Sequence, residues 1–155
     1  MSAITLFLEG RGTDHRGRIF ADVIALEDEQ LESIHDYIQW LFPLPEASAF
    51  NPLAPVLSSS DIEALRLAPI AKQNLERAGT RMLLFYKRTT HWLTAMDHNH
   101  LRITRIIRCL ALILGPAPAQ RFHREILALV ERAGGPVASQ AMDYWRSAAF
   151  SEAST

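Results

Sequence analysis

A chain of 155 residues has the length of one ordinary domain and can bury a core without staples, while 48% apolar and 21% charged residues exclude a disordered chain. A formal net charge of −1 argues against nucleic acid as the main partner, because neutralising phosphates calls for a basic excess. The lone cysteine, Cys109, excludes an internal disulfide framework and a thiolate zinc cluster, and it points to a reducing compartment, the cytoplasm.

Along the chain, Met1–Glu9 lacks the basic start of a signal peptide, and no window approaches the roughly 20 apolar residues of a membrane span, so a soluble chain is expected. Residues 3–9 and 18–26 are short apolar stretches around Gly10, Gly12 and Gly17. They fit either a hairpin or two short helices, and the spacing of Ile19, Val23 and Leu26 favours helices. A helix is predicted from Asp28 to about Phe42, ended by Pro43. Leu31, Ile34, Ile38, Leu41 and Phe42 share one face of it, Tyr37 and Trp40 take the opposite side, and only Glu32, His35, Asp36 and Gln39 form a polar stripe. Residues 43–59, with Pro43, Pro45, Pro52 and Pro55, read as a surface loop.

Ser60 and Glu63 read as a capping box opening a short helix before Pro69, and Pro69 suits the first turn of a helix reaching about Lys87. His91, Trp92, Leu93 and Met96 either continue it or form a separate turn. Asp97 and Asn99 are cap candidates for the clearest helix, which ends at Gly115-Pro116. Its core face is Ile103, Ile106, Ile107, Leu110 and Leu114. A second stripe carries His98, Arg102, Arg105 and Cys109, with Arg108 beside it. Pro118 is expected to begin a helix through Phe122, Ile126, Leu129 and Val130, closed by Gly134-Gly135. A last amphipathic helix holds Met142, Tyr144, Trp145 and Phe150. The prediction is all-α: a single-domain irregular bundle of about six to eight helices over residues 1–150, with 151–155 a disordered tail.

His35-Asp36-Tyr37-Ile38-Gln39-Trp40-Leu41-Phe42-Pro43 resembles the signature of the opioid growth factor receptor conserved domain. The turn Asp14-x-x-Gly17-Arg18 precedes it. Phe50-Asn51-Pro52, Ala54-Pro55-Val56-Leu57 and His98-Asn99-His100-Leu101-Arg102-Ile103-Thr104-Arg105-Ile106 follow in the family's order, over roughly residues 4–148. The resemblance implies a ligand- or peptide-binding domain. Animal members are described as nucleus-associated receptors for an enkephalin pentapeptide, unlike the membrane-spanning opioid receptors. Arginine supplies every basic residue except Lys72 and Lys87, as in a GC-rich bacterial genome, so a stand-alone bacterial-type member is expected.

The expected ligand-binding residues are His35, Asp36, Gln39 and Trp40 from the first motif and His98, Asn99, Arg102 and Arg105 from the second. Facing one another, the stripes would hold an anionic or zwitterionic ligand, arginine forks taking a carboxylate or phosphate and Asp36 or Glu32 an amine. The architectural alternative pairs Asp36 with Arg102 or Arg105 as a salt-bridge lock. The rival function is a small hydrolase-like or metal-dependent enzyme using His35/Asp36 and His98/Arg102. His35, Asp36, Asp97, His98 and His100 are possible metal ligands, yet His98 and His100 are two apart where helical sites favour three or four. Cys109 is a possible nucleophile but sits in an apolar run. Arg102, Arg105 and Arg108 are too few for a nucleic-acid face. The expected partner is a small anionic or peptidic ligand or another protein, with no cofactor.

Overall fold

The computed structural model describes residues 1–48 and 51–151, so Phe50 of the expected motif and the tail 152–155 lie outside the described residues. Nine helices occur among the described residues, with one isolated antiparallel bridge between Thr13 and Ile19, and the architecture is all-α. The chain gathers into two compact units, Met1–Ala78 and Gly79 onward.

In the first unit, both N-terminal apolar stretches are helical: α1 (Ala3–Leu8) and α2 (Phe20–Ile24). Each is amphipathic over a single stretch of helix, burying Ile4, Phe7 and Leu8 from α1 and Phe20 and Val23 from α2. Phe7 is central, meeting Phe20 edge-on at 6.1 Å and Trp40 edge-on at 5.4 Å between ring centroids. Helix ends leave backbone groups without intrahelical partners, and side chains supply them here. The Thr5 N–H donates to Ser2 Oγ at the start of α1, and Asn74 Nδ2 donates to the Leu8 carbonyl at its end, 2.7 Å away.

The single helix expected over 28–42 is two: α3 (Asp28–Ser33) and α4 (Ile38–Leu41). Ile34 turns to extended backbone at φ −89° and ψ 128°, which ends the first helix. The fully buried Tyr37 then folds back, its hydroxyl donating to the Leu31 carbonyl at 2.6 Å. Tertiary bonds to Tyr37 and Asp36 thus outweigh the helical periodicity that ran through them, and this break raises the helix count above six to eight. All four residues of α4 are buried, and it stops before Pro43 as expected.

After the proline-rich loop, α5 (Ser59–Arg66) opens with its capping box two residues earlier than Ser60. Ser58 is the cap: its Oγ accepts from the Asp61 N–H at 3.1 Å, while the Asp61 carboxylate accepts from the Ser58 N–H at 2.9 Å. The capping-box spacing fits both Ser58 and Ser60, and the helix takes Ser58 with Asp61 as its acidic partner. Helix α6 (Pro69–Arg88) begins at Pro69 as expected.

The second unit is built on α7 (His98–Leu114), α8 (Pro116–Arg132) and α9 (Ser139–Phe150), each packed on the other two. Ile103, Ile106, Ile107 and Leu110 of the expected core face are buried. Gly115 ends α7 at φ 100° and ψ 178°, a backbone region essentially restricted to glycine, and Pro116 starts α8 immediately, two residues before the expected Pro118. Residues 89–97 form turns that bury Trp92, so they do not continue α6. No helix among the described residues is long and apolar enough to cross a membrane.

Candidate functional site

The first motif is an internal lock in the N-terminal unit. Asp14, its side chain wholly buried, receives the N–H groups of Arg16 and Arg18 on Oδ1 at 2.8 and 2.9 Å and Arg18 Nε on Oδ2 at 2.6 Å. Gly17, at φ 77°, lets the chain turn tightly enough for these bonds to close. Arg18 then reaches across to Asp36, Nη2 donating to Oδ1 at 3.0 Å, while Arg16 Nε donates to Oδ2 at 2.7 Å. The partners of Asp36 are therefore Arg16 and Arg18, in place of the Arg102 or Arg105 of the architectural alternative.

His15 completes the lock. Trp40 Nε1 donates to His15 Nδ1 at 3.1 Å, so that nitrogen is the acceptor and Nε2, 3.3 Å from Asp36 Oδ2, carries the hydrogen. The His15 ring also lies nearly parallel to Trp40, 15° between planes. Burial by itself would raise the Asp36 pKa, but the hydrogen bond and charge of Arg18, followed by those of Arg16, hold it below the usual carboxylate range. Burial alone would lower Arg18; Asp14 and Asp36 outweigh it and hold the guanidinium charged.

Of the first-motif residues, Asp36 and Trp40 are thus joined through His15, His35 is exposed between α3 and α4, and Gln39 is buried at 7% exposure. The break puts Glu32 on α3 and Gln39 on α4, so the expected stripe of Glu32, His35, Asp36 and Gln39 does not run along one helix.

The second motif anchors the start of α7. Asp97 is its cap, Oδ1 accepting both the Asn99 N–H and Asn99 Nδ2 at 2.9 Å, and the buried Asn99 accepts from the Tyr86 hydroxyl at 3.2 Å. His100 ties in two further segments. Its Nε2 lies 2.8 Å from the Trp92 carbonyl, and its own carbonyl accepts from Trp145 Nε1 of α9 at 3.0 Å, with the two rings edge-on. His98 faces solvent in part while His100 points inward, so the two do not converge as metal ligands. Arg102 is buried and Arg105 half-buried on the same helix. Cys109 is sealed, and burial pushes its thiol up to about 12 despite the charge of Arg105, leaving no thiolate for chemistry.

Beside this anchor lies a groove of about 460 Å³. One wall is the turn Ala95–Asp97, another is His98, His100, Leu101 and Thr104 on the first turns of α7, and α9 and its cap supply Ala138, Gln140, Ala141 and Tyr144. The Ala138 N–H donates to the Ala95 carbonyl at 3.1 Å and holds two of these walls together. Large apolar side chains stand open around it: Met96 is 84% exposed, Leu101 57% and Tyr144 53%. His98 and no other expected binding residue lines this groove; Leu101 and Thr104 sit within the same motif, outside its polar stripe. Met96 and Tyr144 fit apolar patterns in the sequence, and only the packing shows that they remain outside the core.

The family described as the opioid growth factor receptor (OGFr) conserved region matches residues 20–154. The chain belongs to the opioid growth factor receptor conserved-region family. It is 36% identical over 136 residues to the opioid growth factor receptor of Mus musculus and 34% identical to that of Homo sapiens, with 74% of the chain aligned in each. It is 32% identical to opioid growth factor receptor-like protein 1 of Rattus norvegicus over 76% of the chain. The aligned part spans 21%, 20% and 29% of those proteins, respectively. No solved structure matches the chain. The whole groove falls inside the opioid growth factor receptor match, whereas the Asp14–Arg18 loop that grips Asp36 precedes residue 20.

Proposed function

We propose that this domain is a receptor-like interaction module that seats an apolar segment of a peptide or protein partner in the groove at the start of α7. The observation that carries this reading is the groove itself. Its volume lies within the usual range of ligand sites, and it is rimmed by Met96, Leu101 and Tyr144, apolar side chains that a core-filling role would have buried. The name receptor, borne by the mouse and human relatives, accords with binding in place of catalysis. Arg102 and Arg105 are absent from the lining, so the support is for a ligand held on apolar walls more than for an anion clasped by arginines.

Panning the purified protein against a phage-displayed random peptide library tests the proposal. Recovered peptides should bind Ala141→Trp, whose indole fills the groove, at least about tenfold more weakly, the scale on which a blocked apolar anchor pocket is felt. They should bind Glu63→Ala, outside the groove, as they bind the parent. Absence of enrichment, or undiminished binding to a folded Ala141→Trp protein, overturns the reading.

A further inference from the structure

Acceptors gather on the α7 side of the groove, while His98, Gln140 and Tyr144 in its lining can also donate. His100 is only 6% exposed, and its Nε2 faces the Trp92 carbonyl, which can only accept; Nε2 therefore carries a hydrogen, and in the tautomer protonated there alone Nδ1 is an acceptor. Nδ1 receives no hydrogen bond from any described residue, is not sealed from solvent, and belongs to a side chain that lines the groove. Thr104 directs its hydroxyl hydrogen to the His100 carbonyl at 3.1 Å, which leaves its oxygen as an acceptor too. Asp97 commits Oδ1 to Asn99, while Oδ2 accepts from no described residue. No lysine or arginine lines the groove.

We infer that the groove selects a peptide segment carrying a cationic side chain, lysine or arginine, among apolar residues, with its N–H donors directed at Asp97, His100 and Thr104. The inference rests on the groove being a binding site. An ammonium or guanidinium offers only donors, and it answers acceptors whose own hydrogens are spent elsewhere; apolar walls strengthen each such bond by keeping water back. A carboxylate in the same place meets the Asp97 charge, with no lysine or arginine in the lining to offset it. Asp97 supplies the charge term and the buried His100 the directional one.

The test uses blocked pentapeptides of leucine and alanine whose central residue is arginine, lysine, glutamine or glutamate, titrated into the labelled protein and followed by amide resonances of Leu101, Thr104 and Ala141. The cationic peptides should bind about tenfold tighter than the glutamine peptide, the scale of one charge-assisted hydrogen bond. Asp97→Asn, which keeps a good helix cap, should reduce that ratio to about twofold or less. The His100 Nδ1 resonance should move on binding of the cationic peptides alone. Equal affinity across the series, or preference for glutamate, with groove resonances still shifting, overturns the inference and leaves the groove as a binding site. If no peptide shifts those resonances, both fall.

Discussion

Asp36 and His123 show how one residue's surroundings become a property that titration can read. Asp36 is held ionised by Arg18 and Arg16, so its folded pKa lies below its ordinary value of 3.8. Its stabilising effect is complete above that value and is lost as pH falls through the folded pKa. His123 is the opposite case. It is 4% exposed, neither ring nitrogen has a hydrogen-bond partner among the described residues, and burial, aided by Arg146, lowers its pKa from 6.5. Below pH 6.5 the unfolded chain takes up a proton that the folded one resists, so stability falls until the lowered pKa is reached and then levels. Melting temperature against pH should therefore decline in two windows. His123→Leu should flatten the upper one and Asp36→Asn the lower; a profile unchanged by either substitution contradicts these assignments. Neither effect was legible beforehand. The sequence marks Asp36 as polar on a buried helix, but its arginines lie 18 and 20 residues upstream, and nothing in the periodicity selects Arg16 and Arg18 over Arg102 and Arg105.

Whole elements were read best where local signals agreed. α7 has a cap at Asp97, a run of isoleucines and leucines at helical spacing and a glycine-proline stop, and it was anticipated over its full length. The segment 28–42 has the same periodicity, yet its middle is pulled out of the helix by bonds that a period cannot show. Tyr37 is the pivot: removing its hydroxyl in Tyr37→Phe deletes the 2.6 Å bond to Leu31 in a fully buried place. A loss of about 1 kcal/mol is expected, the net worth of an ordinary hydrogen bond, measured by urea unfolding. A variant as stable as the parent would assign the break to packing alone. The groove was the least legible feature, because its walls come from a turn, the first turns of α7 and the start of α9. Ala138, Ala141 and Tyr144 lie some forty residues from His98 and carry no chemistry that would single them out.

Across the whole molecule the two motifs divide their duties. The first is spent on holding the N-terminal unit together, with its aspartate and tryptophan side chains engaged through His15, Arg16 and Arg18. The second holds the start of α7 and leaves acceptors over at the edge of a groove. On the proposed reading this chain combines a framework motif with a recognition groove, and substitutions in the two should separate loss of folding from loss of binding. Cys109 turns this into something measurable without a label on the partner. As the chain's one thiol, wholly buried in α7 beyond the reach of aqueous reagents, it can be modified only during transient openings of the second unit. Where reclosing outpaces the reagent, a disulfide-exchange dye becomes a clock for that opening, and any partner seated on α7 should slow the clock in proportion to its occupancy of the folded state.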